Sequence, residues 1–376
     1  MTFSEQICQE INRKFYFDDF VLTNLFYTKD GIKMEICDGL IEFQDIYIIL
    51  QIKEKAANND TDENNIKWLS KKVYKKAVSQ IKDTIRILQN ESSLVVEDMY
   101  GQTVEIDNSK KIIPVIIFKA DDISEYRKVY HSVTDNININ VFSVKDYQIM
   151  MDILKMPLDI TEYLGLRAEI FETSNIDIII DDSDENWISM GQINSETDFA
   201  NYFICSRIRD NSVDEIYTHD FLNIISKYHS KRTNNDPNYK QILNRMLCFD
   251  RLGAKYFMER WNKCWGDAKN NILRYQYRMV MQNEYEKFGF LFISAKKGIK
   301  EDCNDFYIYI GKLFVQKYEL DTAIIIINYC EGDGNFFVNW IMLSKPYSPD
   351  QILIRDLKEL NLWNGDNVIQ KKPRFY

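Results

Sequence analysis

The stretch CDGLIEFQDIYIILQIKEK, residues 37–55, decides the reading of the fold. Two apolar runs flank the dipeptide Gln44-Asp45, and each carries polar residues where a buried strand has none. Their composition marks both runs as β-strands, and the polar dipeptide marks a hairpin turn. With the turn centred between Gln44 and Asp45, Asp38 falls opposite Gln51 and Ile36 opposite Lys53. Strand alternation then puts all four on one face. A slip of one residue would carry Gln51 and Lys53 to the other side.

Outward from the hairpin the pattern alternates. Residues 4–16 read as a helix, with Ile7, Cys8, Ile11 and Phe15 on one stripe and Thr2 with Glu5 as a capping box. A strand over Phe20–Tyr27 leads through the turn TKDG into Ile32–Phe43. Lys55–Asn65 reads as a polar loop. Residues 66–89 read as one long helix, with Trp68, Leu69, Val73, Ala77, Ile81, Ile85 and Leu88 as its apolar stripe. Strands are expected at Leu94–Glu97, Lys111–Lys119 and Val141–Val144. Pro114 argues for an edge or a bulge in the second of these. Helices are expected over Asp146–Lys155 and Asp159–Glu172. This order describes an α/β domain with a mixed sheet flanked by helices.

After the acidic run Asp181–Asn186 the texture changes. Residues 197–285 read as largely helical, broken at KRTNNDPN. Strands return at Phe288–Ala295, Ala323–Tyr329 and Phe336–Leu343, with a helix at Asp305–Tyr318 and a last helix from Ser348. Two domains follow: 1–174, and a C-terminal α+β domain over 175–376 that recognises a target, oligomerises or senses a trigger.

Composition sets limits on function. The 376 residues carry a formal charge of −10, so contact with nucleic acid requires a local basic patch. Seven scattered cysteines contain no Cys-x-x-Cys pair, which argues against a disulfide framework and a thiolate zinc site and fits a cytoplasmic protein. No signal peptide and no membrane span are expected. The three histidines, His131, His219 and His229, lack nearby metal-ligand partners in sequence, and no phosphate-binding loop or nucleophile elbow is present.

The hairpin carries the chemistry. An aspartate, a second oxygen ligand and a lysine on one face suit Mg²⁺-dependent (or Mn²⁺-dependent) phosphodiester hydrolysis. Mg²⁺ takes oxygen ligands, often one or two carboxylates, and keeps water and phosphate in its other positions. Asp38 and Gln51 would hold the metal, and Lys53 would stand beside the attacking water. The plainer alternative is that Asp38 ends a strand and Lys53 lies along one with its amine in water. The basic face of the helix, including Lys71, Lys72, Lys75 and Lys76, is either a track for phosphates or a solvated face.

EICDGLIEF followed by IILQIKEK resembles the core motif of the PD-(D/E)XK nuclease superfamily, in the Gln-x-Lys form found in Mrr-type restriction enzymes. WLSKKVYKKAVSQI resembles the helix that follows that core. Cys37 stands where many members have proline. The resemblance covers residues 1–120, extending towards 172. It implies a restriction-endonuclease-like fold, metal-dependent cleavage of DNA, and a bacterial restriction or anti-phage setting. It also implies a site role for Gln80 and for a glutamate of the first helix, Glu10 ahead of Glu5. A dimer or higher homo-oligomer is expected, since one site cuts one strand, and other defence-system subunits are possible partners. Two alternatives stay open: a nuclease-like module that binds nucleic acid or a partner without cutting, and a structural subunit of a defence complex.

Overall fold

The computed structural model describes residues 1–56, 61–91, 94–120, 123, 125–172, 195–207, 215–230, 238–282, 286–296, 304–330, 335–363 and 369–371. The acidic run 181–186, the break 231–237 and the expected boundary near 175 lie outside the described residues. The chain forms two units, Met1–Asn211 and Ser212–Tyr376.

The first unit is α/β. In chain order it contains α1 (Phe3–Tyr16), β1 (Val21–Lys29), β2 (Ile32–Phe43), β3 (Ile46–Glu54) and α2 (Asp62–Trp68). A π-helical stretch, Leu69–Ala77, runs on into α3 (Val78–Asn90). Next come β4 (Val95–Glu97), β5 (Thr103–Glu105), β6 (Lys111–Lys119), β7 (Val129–Ser132) and β8 (Ile137–Ser143). The helices α4 (Val144–Leu154), α5 (Pro157–Glu172) and α6 (Glu196–Arg207) complete it. The strands form one mixed sheet in the order β5-β4-β1-β2-β3-β6-β8-β7. β1, β2 and β3 are an antiparallel meander, whereas β3, β6 and β8 run parallel.

Both hairpins obey their turns. Asp30 and Gly31 have φ of 51° and 77°, the left-handed pair that lets Lys29 face Ile32. Gln44, with φ 52°, closes the second turn, and Phe43 pairs with Ile46. The register read from the sequence therefore holds from Phe43–Ile46 to Gly39–Leu50. Gly39 lies close to its partner strand: a Cβ at this position would lie 3.2 Å from Leu50 Cδ1, which would have to shift by a few tenths of an ångström.

The helix over the site departs from the plain α-helix expected for 66–89. Leu69, Val73, Ala77, Ile81 and Ile85 recur every fourth residue and are all buried. On an α-helix each such step drifts about 40° around the axis. The wider π-turn absorbs that drift over Leu69–Ala77, and α3 then returns to α spacing with Val78, Ile81, Ile85 and Leu88 buried. These side chains seal one face of the sheet against Tyr47, Ile49, Ile116 and Phe118. Full burial of each Val, Leu or Ile contributes about 1.5–3 kcal/mol.

Pro114 lies in a central strand, not at an edge. It pairs with Ile49 on the β3 side, while the ladder to β8 begins only at Val115, so its missing N–H interrupts no β8 pair.

The first unit also extends past the expected break after residue 174. Arg167 on α5 is fully buried and holds Glu196 of α6 through Nε–Oε1 at 3.0 Å and Nη2–Oε2 at 3.1 Å. It also donates to Asn140 Oδ1 and to the carbonyls of Lys128 and Val141. Tyr163 donates to Glu196 and packs against Phe199 and Phe203. These contacts make α6 part of the first unit.

The second unit begins with helices α7 (Glu215–Ser230), α8 (Tyr239–Leu247) and α9 (Arg251–Lys269). It continues with β9 (Arg274–Gln282), β10 (Lys287–Ser294), α10 (Asn304–Tyr318), β11 (Thr322–Cys330), β12 (Phe336–Ser344), α11 (Gln351–Glu359) and β13 (Ile369–Lys371). Its sheet order is β12-β11-β10-β9-β13. β9 replaces the end of the expected helical region, because it pairs antiparallel with β10. The last helix starts after Asp350, whose carboxylate accepts from the N–H groups of Ile352 and Leu353. Among the described residues, no helix is long and apolar enough to cross a membrane.

Candidate functional site: a polar fork between two strands

Asp38 sits where the sheet opens. Below it β2 and β3 are paired up to Gly39–Leu50. Beyond that point β2 stays with β1 as far as Ile32, and β3 stays with β6 as far as Glu54. The carboxylate of Asp38 fills the resulting fork and accepts the main-chain N–H of Ile52 through Oδ2. A side chain thus satisfies a donor that the adjoining strand has left.

Lys53 closes the fork. Its ammonium donates to Gln51 Oε1 at 3.1 Å and to the Ile52 carbonyl at 3.0 Å, and lies 3.6 Å from Asp38 Oδ2. Three oxygens of different chemistry therefore converge on one cation. The site is largely dry: the side chains of Lys53 and Asp38 are 15% and 10% exposed, and Gln51 is 2% exposed.

Burial dominates the electrostatics of Asp38. It pushes the carboxyl above its ordinary value of 3.8, against the pull of the Lys53 ammonium and the Ile52 N–H, while the charge of Glu5 adds to the rise. Glu35 is raised in the same way, first by partial burial and then by Asp38 and Glu5. Cys8 is pushed up to about 12 by burial, with Glu5 and Asp38 adding to it.

The remaining sequence-derived positions divide. Gln80 shares a cavity of about 560 Å³ with Gln51, Glu35 and Thr84, and its buried Oε1 has no hydrogen-bond partner among the described residues. Glu10 does not join the fork; it stands exposed on α1. Glu5 is the α1 glutamate whose charge reaches Asp38, and its carboxylate also accepts the Thr2 N–H at 2.8 Å in the expected capping box. Glu54 holds the N–H of Ser4 at 3.0 Å, and Glu42 pairs with Lys110 at 2.8 Å, so both have structural partners. Lys71, Lys72, Lys75 and Lys76 are all exposed on the π-helical stretch. Only the first two line a second cavity, with Lys55, Lys67 and Trp68.

Sequence reasoning missed Thr84. It is fully buried and donates to the Ile36 carbonyl at 2.6 Å and to the Gln80 carbonyl at 2.9 Å. The signal was there: a hydroxyl within the apolar stripe of α3, one helical turn after Gln80. Among the described residues, no group of three or more His, Cys, Asp or Glu side chains could hold a metal ion. A cation here would depend on Asp38, the Gln51 amide and the Ile52 carbonyl. These are hard oxygen donors around a point that an ammonium now occupies, which fits a Mg²⁺ ion that keeps part of its water.

No protein-family model, curated protein or solved structure matches this chain.

Proposed function

We propose that the fork is the active site of a metal-dependent nuclease of the PD-(D/E)XK type, in its Gln-x-Lys form, cutting DNA in a restriction or anti-phage setting. One observation carries the reading: Lys53 Nζ lies between Asp38 Oδ2 and Gln51 Oε1 at the mouth of the opened sheet. Asp38, Gln51 and the Ile52 carbonyl would hold Mg²⁺ or Mn²⁺, which when bound supplies Lewis acidity at the scissile phosphate. Lys53 then turns its ammonium to the phosphate oxygens and stabilises the charge that builds there. Gln80 offers its unpartnered amide oxygen to the attacking water. The described cysteines form no disulfide with one another, in keeping with a cytoplasmic home. Cutting both strands of a duplex calls for two copies of the site, hence a homo-oligomer.

The single carboxylate in the fork supports a second reading, a module that binds nucleic acid or a defence-complex partner without cutting. Purified protein incubated with plasmid DNA and Mg²⁺, Mn²⁺ or EDTA separates the two. The nuclease reading expects metal-dependent nicking that falls by about 10²–10³-fold in Lys53→Ala and is abolished in Asp38→Ala. Cleavage that survives both substitutions would place the active site elsewhere.

A further inference from the structure

Beside the fork lies a basic basin. Lys55 follows Lys53 by two residues, just past the end of β3; its main-chain N–H bonds the Lys119 carbonyl at 2.9 Å, and its ammonium donates to Asn65 Oδ1. Lys55, Lys67, Lys71 and Lys72 line a cavity of about 390 Å³ together with Asn64 and Trp68. Among the described residues, no acidic side chain is part of its walls, in a chain whose formal charge is −10. Among the described residues, no carboxylate pairs with Lys67, Lys71 or Lys72. Gathering ammonium groups around one concavity costs Coulomb energy that a bound polyanion repays.

Trp68 adds the second requirement. Its partly buried ring meets Phe118 at a centroid distance of 6.3 Å and an interplanar angle of 59°, and the ring also lines the basin. Lysines that track a backbone beside an aromatic platform are the equipment for an unpaired nucleotide, whose base is free to stack. A duplex keeps its bases inside and offers only phosphates to such a wall.

We infer that the basin binds an unpaired nucleotide adjoining the phosphate held at the fork, so that the strand to be cut is presented there as a single strand, opened locally where the substrate is a duplex. For the fate of the bound strand this rests on the proposed nuclease reading. The lysines take the phosphates, Trp68 takes the base, and the step from Lys55 to Lys53 hands the next phosphate to the fork.

The test uses the full chain carrying Asp38→Ala, in EDTA, so that binding is read without cutting. Fluorescence anisotropy is followed with labelled oligothymidylate, oligouridylate and a duplex of equal length over a range of salt. The two single strands report whether the sugar is deoxyribose or ribose. Single strands are expected to bind about ten-fold more tightly than the duplex. Trp68→Ala is expected to weaken that binding about ten-fold, with Trp68→Phe keeping most of it, because the phenyl ring still stacks. Lys67→Glu with Lys72→Glu is expected to reduce the slope of log K against log salt by about 1.4. Lys358→Glu, on α11 of the other unit, leaves binding unchanged. Equal or tighter binding of the duplex, or Trp68→Ala binding as well as Trp68→Phe, overturns the inference. Single-strand binding by a protein that never cleaves with metal would sink the nuclease reading and keep the basin. Metal-dependent plasmid cleavage without single-strand preference would do the reverse.

Discussion

The hydroxyl of Thr84 donates to the main-chain carbonyl of Ile36 over 2.6 Å, two residues before Asp38. This bond crosses from helix to sheet at the point where β2 leaves β3. It ties the strand that carries the carboxylate to the helix that carries Gln80. Thr84→Val keeps the shape and leaves the carbonyl without this donor, at a cost of about 1–3 kcal/mol. Thr84→Ser restores the donor. Thermal melts should therefore rank Ser above Val. In the proposed nuclease, turnover should follow the same order while substrate affinity stays constant, since the bond positions Asp38 and touches no substrate.

Asp38→Asn tests the electrostatics of the fork without any assumption about catalysis. Burial raises the folded-state pKa of Asp38 above its unfolded value. The folded state then holds the proton more tightly, so this residue's contribution to stability falls as pH rises from 3.8 through the raised value. An asparagine removes that loss. In EDTA the variant should melt at or above the wild type near neutral pH, and the gap should close as the solution is acidified. A variant that melts well below wild type at neutral pH would show that the Lys53 ion pair outweighs desolvation. Added Mg²⁺ should raise the melting temperature of the wild type only.

Arg167 and Glu196 hold α6 to the first unit from within the core. Arg167→Met alone strands a buried carboxylate and should cost about 3–5 kcal/mol. The double variant with Glu196→Leu should recover most of that loss. Denaturant melts of the four proteins give the coupling directly, and additive losses would show that the two residues act independently.

Gln44 occupies the left-handed region at the tip of the β2–β3 hairpin, with φ 52°. Glycine adopts that conformation without a Cβ penalty, so Gln44→Gly should be stabilising by about 0.5–1 kcal/mol. Because the turn sets the β2–β3 register up to Gly39–Leu50, and with it where the fork opens at Asp38, insertion of one residue at this tip should abolish any activity of the fork, whereas Gln44→Gly should leave it intact. Melting temperatures and plasmid nicking by the two variants check both statements.

The hairpin was legible because its information is local. The two-residue turn fixes the register, and alternation then assigns faces to Asp38, Gln51 and Lys53. The Thr2–Glu5 cap was legible for the same reason. What sequence missed depends on distant partners. Pro114 looked like an edge signal because nothing local says where β8 begins to pair. The unit boundary was set too early because Arg167 and Glu196 are separated by a long segment and meet only in the folded core. Glu10 was preferred to Glu5 because helical spacing alone does not show which end of α1 approaches the fork. The π-turn was visible as a fourfold repeat, but only its misfit with α geometry gives it meaning. The basin was hidden because Lys55 joins Lys67, Lys71 and Lys72 across a loop.

An ammonium that sits among three oxygens is a tethered rival for any cation that those oxygens attract. On the proposed reading, the protein carries its own competitive inhibitor at a fixed effective concentration, and divalent ions must evict it. Affinity and turnover should then part company in Lys53→Met: isothermal titration should show tighter uptake of Mn²⁺, while nicking disappears. The same side chain would serve as a safety catch in the absence of metal and as the charge stabiliser once released.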